Sequence, residues 1–159
     1  MELILKTNLP HQVSAYSAIA NVFSTEQIQK SPLYYQNHTL LLDRDSLLAN
    51  ISNVQKANQI PAHIAAQNEV GAYLNLDVKM ETGTGKTYVY TAAMFELHKR
   101  FGINKFIVVV PTLAIKAGAQ QFMQDGYTKR HFKDQCGYGT ELDVLVLEAI
   151  KTKKGKSFF

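Results

Sequence analysis

The chain has 159 residues with a single cysteine, and 46% of its residues are hydrophobic against 19% charged. This length fits one domain with one core, and the composition excludes a largely disordered protein, while one cysteine excludes an internal disulfide. The formal charge of +4 permits a polyanionic partner without requiring one.

Targeting signals are not evident in the sequence. No apolar run approaches the roughly 18 residues needed to cross a bilayer, and the N-terminus lacks the apolar core and cleavage site of a signal peptide. We therefore expect a soluble, cytoplasmic protein with no membrane partner.

The first part of the chain is predicted to be helical around an irregular excursion. Apolar spacing indicates an amphipathic helix over residues 11–23. Residues 24–60 are polar and mixed, with a short helix predicted over 45–55. Pro61 suits the first turn of a further helix that runs to about Tyr73.

In the second part of the chain, the spacing of apolar residues changes from that of a helix to that of a strand. Residues 74–80 alternate and predict a strand, and a glycine-rich loop and a helix to about Arg100 follow, with Gly102 as the expected left-handed cap. The continuous apolar run over 106–110 predicts a strand buried on both faces of a parallel sheet. Pro111 ends it, and Thr112 can cap a helix to about Met123.

The last part is predicted as a loop over residues 125–142, a third strand over 143–147 and a basic tail over 150–159. Helices and strands in this order predict an α/β fold with a mostly parallel sheet.

A phosphate-binding loop is the main chemical signal. Gly83 and Gly85 let the backbone curl so that successive N–H groups face an anion, and the following helix adds its positive N-terminus. Lys86 can reach the β- and γ-phosphates, and the Thr87 hydroxyl suits a magnesium ion. Thr82 and Thr84 complete the predicted site. One departure from the strict pattern is Met80 where glycine is usual, and the alternative is a tight turn with no ligand.

Three segments together resemble one protein family. They are Leu9–Gln12, of the form L-P-x-Q; the loop from Met80 to Thr87; and Val108–Gly118, which contains P-x-x-A-I-K-x-G. The chain resembles the restriction (Res) subunit of type III restriction-modification systems, a superfamily-2 helicase-like ATPase. The resemblance covers nearly the whole chain but only the N-terminal part of the family's motor domains.

The resemblance implies a RecA-like P-loop core and the cofactors ATP and Mg²⁺. Residues 1–159 would form the N-terminal part of the ATP-binding domain, without the DExx-box strand, the second motor domain or the nuclease. Lys86 and Thr87 would be the catalytic residues, Gln12 would read the adenine, and Pro111 and Thr112 would contact double-stranded DNA. The alternatives are an ordinary helix residue for Gln12 and a plain helix cap for Thr112.

By the same resemblance, the parent protein would be an ATP-dependent site-specific deoxyribonuclease that works with a methyltransferase (Mod) subunit. The 159 residues alone are expected to bind nucleotide with little hydrolysis. The alternatives are a nucleotide-binding module without turnover and another superfamily-2 DNA translocase.

Other reactive residues favour plainer interpretations. Glu148 follows the third predicted strand, but Ala149 stands where a neighbouring acid is usual, so a strand-end glutamate is favoured over a catalytic acid. The five histidines lack metal-ligand spacing with Cys136. We interpret Cys136 as structural or incidental, and the lysine tail as a solvated segment rather than a DNA contact. An unpaired sheet edge is expected to cause some self-association.

Overall fold

The computed structural model describes residues 5–23, 28–41, 43–61 and 75–147. In chain order, its elements are α1 (Pro10–Asn21), β1 (Ile28–Gln29), β2 (Thr39–Leu40), α2 (Arg44–Ala57), α3 (Lys86–Phe101), α4 (Leu113–Gln124), α5 (Gly126–Arg130) and a π-helical turn (His131–Gln135). None of the helices in these stretches is both long and apolar enough to span a lipid bilayer.

The helix ends follow local chemistry. The Asp43 side chain accepts the Ser46 N–H at the start of α2, and the Thr112 hydroxyl accepts the Ile115 N–H at the start of α4. Gly102 adopts the left-handed conformation at the end of α3 (φ 67°). Side-chain oxygens and left-handed glycines satisfy backbone groups that a helix end leaves unpaired. The helices predicted over 11–23, 45–55 and 86–100, and the one capped by Thr112, are therefore confirmed.

Helix α3 lies at the centre of the described structure. Its buried side chains cover most of its circumference: Tyr88, Val89, Thr91, Ala92, Ala93, Met94, Phe95 and Phe101. On one side, Tyr88, Ala92 and Phe95 pack against Phe132 and the half-buried Tyr16 of α1. On another side, Met94 packs against Ala119 and Met123 of α4. A helix buried on several faces occupies the core rather than the surface.

The segment over residues 125–142, predicted as a loop, is the main correction. It contains α5 and the π-helical turn, and Phe132 stacks on Phe95 with ring centroids 5.0 Å apart. His131 and Phe132 are among the most buried side chains. The prediction was wrong because glycine and charged residues dominate this sequence locally, whereas packing of its aromatic rings against α3 decides its conformation.

The predicted parallel sheet is not confirmed. Within the described residues, the one strand pair is β1 with β2, an antiparallel pair of two residues each. Residues 75–80, 102–110 and 136–147 run without regular secondary structure. A strand ladder needs a neighbouring backbone within hydrogen-bonding distance, and none of these segments pairs with another described segment.

Two of these unpaired segments bury one face. Phe106 and Val144 pack against the α3–α4 cluster. The alternate side chains are exposed: Ile107 at 88%, Val109 at 87%, Leu145 at 85% and Leu147 at 76%. Alternation with period two is the pattern of a half-buried strand. The run over 106–110 was predicted to be buried on both faces, and the structure covers one.

Some predictions fall outside the described residues. The helix expected from Pro61 to Tyr73 lies almost entirely there, and so do Glu148 and the basic tail over 150–159. The excursion over 24–60 is described in part, and α2 and the β1–β2 pair make it more regular than its sequence indicates.

Candidate nucleotide-binding site

The glycine-rich loop has the backbone conformation that its sequence predicts. Gly83 and Gly85 both lie in the left-handed region, with φ of 82° and 88°. Other residues rarely adopt these angles, so glycine is required at both positions. Gly85 is the N-cap of α3, and Lys86 is the first residue of that helix.

The N-terminal end of α3 presents positive potential at the loop. The helix has 16 residues, and its first turn contains no acidic side chain. Its leading N–H groups and macrodipole favour an anion at this end. Thr87 is half-buried in that turn, and Thr82 is exposed on the loop. These features fit a phosphate group, with Thr87 available for a metal ion that accompanies it.

The Lys86 ammonium is turned back onto the loop. Its Nζ donates to the Glu81 carbonyl over 2.6 Å, and the Thr84 hydroxyl donates to the same oxygen over 2.7 Å. Lys86 therefore holds the loop closed in this conformation. Sequence inspection did not single out Glu81, because its contribution is a backbone carbonyl that any residue supplies.

Gln12 lies against the loop although 72 residues separate it from Thr84. Its side-chain amide donates to the Thr84 carbonyl over 3.1 Å, and the residue is 7% exposed. A Cβ atom at Gly85 would stand 2.5 Å from Gln12 Nε2, so only glycine leaves room for this contact. The structure thus brings the L-P-x-Q segment and the loop together.

His11 makes a second contact with the loop. Its Nε2 lies 3.2 Å from the same Thr84 carbonyl, on an exposed ring. The sequence pattern gave His11 no role, because no local signal links it to a loop more than 70 residues away.

Pro111 and Thr112 lie at the start of α4, and both are exposed. The Thr112 hydroxyl accepts the Ile115 N–H over 3.3 Å, so it serves as a helix cap in this structure. In the next turn, Lys116 Nζ donates to the Leu147 carbonyl over 2.9 Å and ties α4 to the third extended segment. The exposed N-terminus of α4 leaves backbone N–H groups available for a phosphate.

A buried polar cluster surrounds the hydroxyl of Tyr88, which lies in the first turn of α3. The Tyr88 hydroxyl is 3.1 Å from His131 Nε2, and the Cys136 thiol is 3.5 Å from the same nitrogen. His131 Nδ1 is 2.9 Å from the side-chain oxygen Oε1 of Gln135, which fits a tautomer that carries its proton on Nδ1 and accepts at Nε2. Burial lowers the pKa of His131 and raises that of Cys136, so the thiol is not activated. This agrees with the interpretation of Cys136 as structural or incidental.

Metal ligands do not cluster elsewhere in the part of the chain that the structure describes. No group of three or more histidine, cysteine, aspartate or glutamate side chains in it is placed to hold a metal ion.

Comparisons with known proteins agree with the resemblance found in the sequence. The family model described as "Type III restriction enzyme, res subunit" matches residues 7–154. The EcoPI Res subunit of Escherichia phage P1 is 44% identical over an alignment of 155 positions that covers 94% of this chain and 15% of that protein. The EcoP15I Res subunit of Escherichia coli is 42% identical over an alignment of 162 positions that covers 97% of this chain and 16% of that protein. The StyLTI Res subunit of Salmonella typhimurium is 38% identical over 159 residues, with 98% and 13% covered. All three are described as type III restriction-modification enzymes, and the chain spans about one sixth of their length or less.

Proposed function

This chain belongs to the Res-subunit family of type III restriction enzymes, whose model implies a helicase-like P-loop fold, and from that premise we propose that it binds ATP with Mg²⁺ as the nucleotide-binding part of a restriction subunit. The observation that carries the proposal is the pair of left-handed glycines at the start of α3, with Lys86 following and Gln12 packed on the loop.

Phosphate binding is assigned to the loop over residues 82–87. Its curled backbone directs N–H groups at the phosphate oxygens, and Lys86 adds a full positive charge. The Thr87 hydroxyl is the proposed ligand for Mg²⁺, which would neutralise charge on the phosphates when bound. Lys86 Nζ already lies within the loop, on the Glu81 carbonyl, so a modest movement of the side chain delivers it to a phosphate.

Adenine recognition is assigned to Gln12. One hydrogen of its amide group is donated to the Thr84 carbonyl, which holds the side chain in a fixed orientation beside the loop. The second amide hydrogen and the amide oxygen can pair with the N7 and N6 edge of adenine. Guanine presents an acceptor in place of the N6 donor, so this arrangement favours ATP over GTP.

Contact with double-stranded DNA is assigned to Pro111 and Thr112 at the exposed start of α4. Thr112 caps the helix and leaves the neighbouring N–H groups facing solvent, which suits a backbone phosphate rather than a base. Such a contact predicts DNA binding that weakens as salt increases and does not depend on sequence. Binding that was unchanged between low and high salt would contradict it.

The parent protein is proposed to act as an ATP-dependent DNA translocase and endonuclease with a Mod subunit. For the 159 residues by themselves, we propose nucleotide binding with little hydrolysis. The second candidate is a nucleotide-binding module that does not turn over in any context, and the third is another superfamily-2 translocase. Phosphate release from ATP by the longer chain in the presence of DNA separates the first from the second, and nuclease activity separates the first from the third.

Calorimetric titration of this chain with Mg·ATP and Mg·GTP tests the proposal. We expect ATP to bind more tightly than GTP, and Lys86→Ala to abolish binding of both because the phosphate charge loses its counter-charge. Lys105→Ala is the matched control, since it removes the same charge from an exposed residue outside the loop. Equal affinity of wild type and Lys86→Ala would reject the loop assignment, and equal affinity for ATP and GTP would remove Gln12 from base recognition.

A further inference from the structure

The Thr84 carbonyl is held by two side chains that come from the same turn of α1. Gln12 Nε2 lies 3.1 Å from it and His11 Nε2 lies 3.2 Å from it. A carbonyl oxygen can only accept hydrogen bonds, so the contact with His11 requires a hydrogen on Nε2. The oxygen has two lone pairs, and these two donors can occupy both.

The orientation of this carbonyl controls a neighbouring N–H group. In a trans peptide unit, the carbonyl of one residue and the N–H of the next point in opposite directions. No cis peptide bond occurs in the described chain, so a Thr84 carbonyl turned towards α1 points the Gly85 N–H away from α1. Gly85 is the N-cap of α3, where the proposed phosphate site lies.

The two donors differ in their surroundings. Gln12 is buried and packed against Gly85, whereas the His11 ring is exposed at the rim of the loop. Removal of the Gln12 side chain therefore opens a gap next to the loop and also removes the proposed adenine contact. Removal of the His11 ring takes away one hydrogen bond and leaves the packing in place.

We propose that His11 is a positioning residue for phosphate binding, which fixes the Thr84–Gly85 peptide so that the Gly85 N–H faces the phosphates. The inference rests on the proposed nucleotide-binding function and adds to it a residue that acts on any triphosphate, whatever its base. His11 acts through the backbone of the loop and does not itself contact the nucleotide.

The test compares wild type, His11→Ala and His11→Gln by calorimetry with Mg·ATP, Mg·GTP and magnesium tripolyphosphate. A single hydrogen bond of this kind changes affinity by about three- to tenfold. We expect His11→Ala to weaken all three ligands by that factor and to leave the ratio of ATP to GTP affinity unchanged. His11→Gln keeps an N–H donor of similar reach and should restore binding to within about twofold of wild type.

Two controls separate positioning from general damage. His98→Ala removes a ring at the far end of α3 and should bind all three ligands as wild type does. The melting temperature of nucleotide-free His11→Ala should stay within about 4 °C of wild type, because the exposed ring contributes one hydrogen bond and packs no core.

The outcomes distinguish failure of the inference about His11 from failure of the proposed nucleotide-binding function. If wild type binds ATP and His11→Ala binds all three ligands equally well, the inference is overturned and the nucleotide-binding function stands. If His11→Ala weakens ATP but not tripolyphosphate, His11 acts on the nucleoside and the inference is also overturned. If wild type binds none of the ligands, the proposed function fails, and the inference fails with it because no phosphate remains to be positioned.

Discussion

At the scale of single residues, His131 shows how burial sets the chemistry of a side chain. It is fully buried, and its two ring nitrogens contact Tyr88 and Gln135. Burial disfavours the charged ring and lowers its pKa, and the hydrogen bond to Gln135 opposes this with a smaller effect. The folded environment therefore favours the neutral form of His131.

This arrangement predicts that the protein becomes less stable as the pH is lowered through a defined window. The unfolded chain protonates His131 near its ordinary pKa of 6.5, whereas the folded chain resists protonation until a lower pH. The unfolded state then binds more protons, so the free energy of unfolding is highest above about pH 6.5 and decreases as pH falls below it. Urea unfolding from pH 7.5 down to 5.5 measures the effect.

His131→Gln provides the comparison, because it removes the titrating ring and keeps a polar group. This variant should be less stable than wild type throughout but should lose less stability between the two pH limits. His98→Ala should keep the wild-type slope. Equal slopes for wild type and His131→Gln would show that His131 is not the source of the pH dependence.

At the scale of elements, the start of α3 combines backbone strain with a close contact. Gly83 and Gly85 have nearly the same positive φ, but a Cβ atom would meet nothing within 4 Å at Gly83 and would stand 2.5 Å from Gln12 Nε2 at Gly85. The two glycines therefore form a matched pair that separates conformational cost from steric cost.

Alanine substitution at these positions should destabilise the protein by different amounts. Gly83→Ala should lower the free energy of unfolding by about 1–2 kcal/mol, the cost of a left-handed non-glycine residue. Gly85→Ala should cost about 1 kcal/mol more, because the Gln12 amide has to leave the Thr84 carbonyl. Urea unfolding measures both, and in a Gln12→Ala background the difference between the two substitutions should disappear. Equal losses in the wild-type background would show that Gln12 does not pack on Gly85.

The helices also show which elements a sequence can predict. Their ends depend on residues close along the chain, such as Asp43, Thr112 and Gly102, and the caps predicted at Thr112 and Gly102 are confirmed. The strands depend on partners elsewhere, and the predicted parallel sheet is not confirmed in the described residues. The π-helical turn depends on packing of Phe132 against Phe95 and could not be predicted from its own residues.

At the scale of the whole molecule, two extended segments each expose apolar side chains. Ile107 and Val109 on one segment and Leu145 and Leu147 on the other are each more than three-quarters exposed. Exposed apolar side chains on an extended backbone without a ladder favour association with another chain.

We expect the protein to associate with itself as its concentration rises. Light scattering across a concentration series should give an average mass above that of the monomer, and Val109→Lys combined with Leu145→Lys should restore a monomer by placing charge on both exposed segments. Tyr34→Lys combined with Leu41→Lys adds the same charge to exposed residues elsewhere and should leave association unchanged. A monomeric wild type at high concentration would contradict the prediction.

The sequence by itself determined the family, the glycine-rich loop and the main helices. These features depend on residues within a few positions of one another: glycines that permit left-handed backbone, a lysine at a helix start, and side-chain caps. Only the tertiary structure decided that Gln12 and His11 converge on the Thr84 carbonyl, that His131 is buried, and that one face of the extended segments stays exposed. These contacts join residues far apart along the chain, and their geometry depends on how α1, α3 and the π-helical turn pack together, which no local pattern encodes.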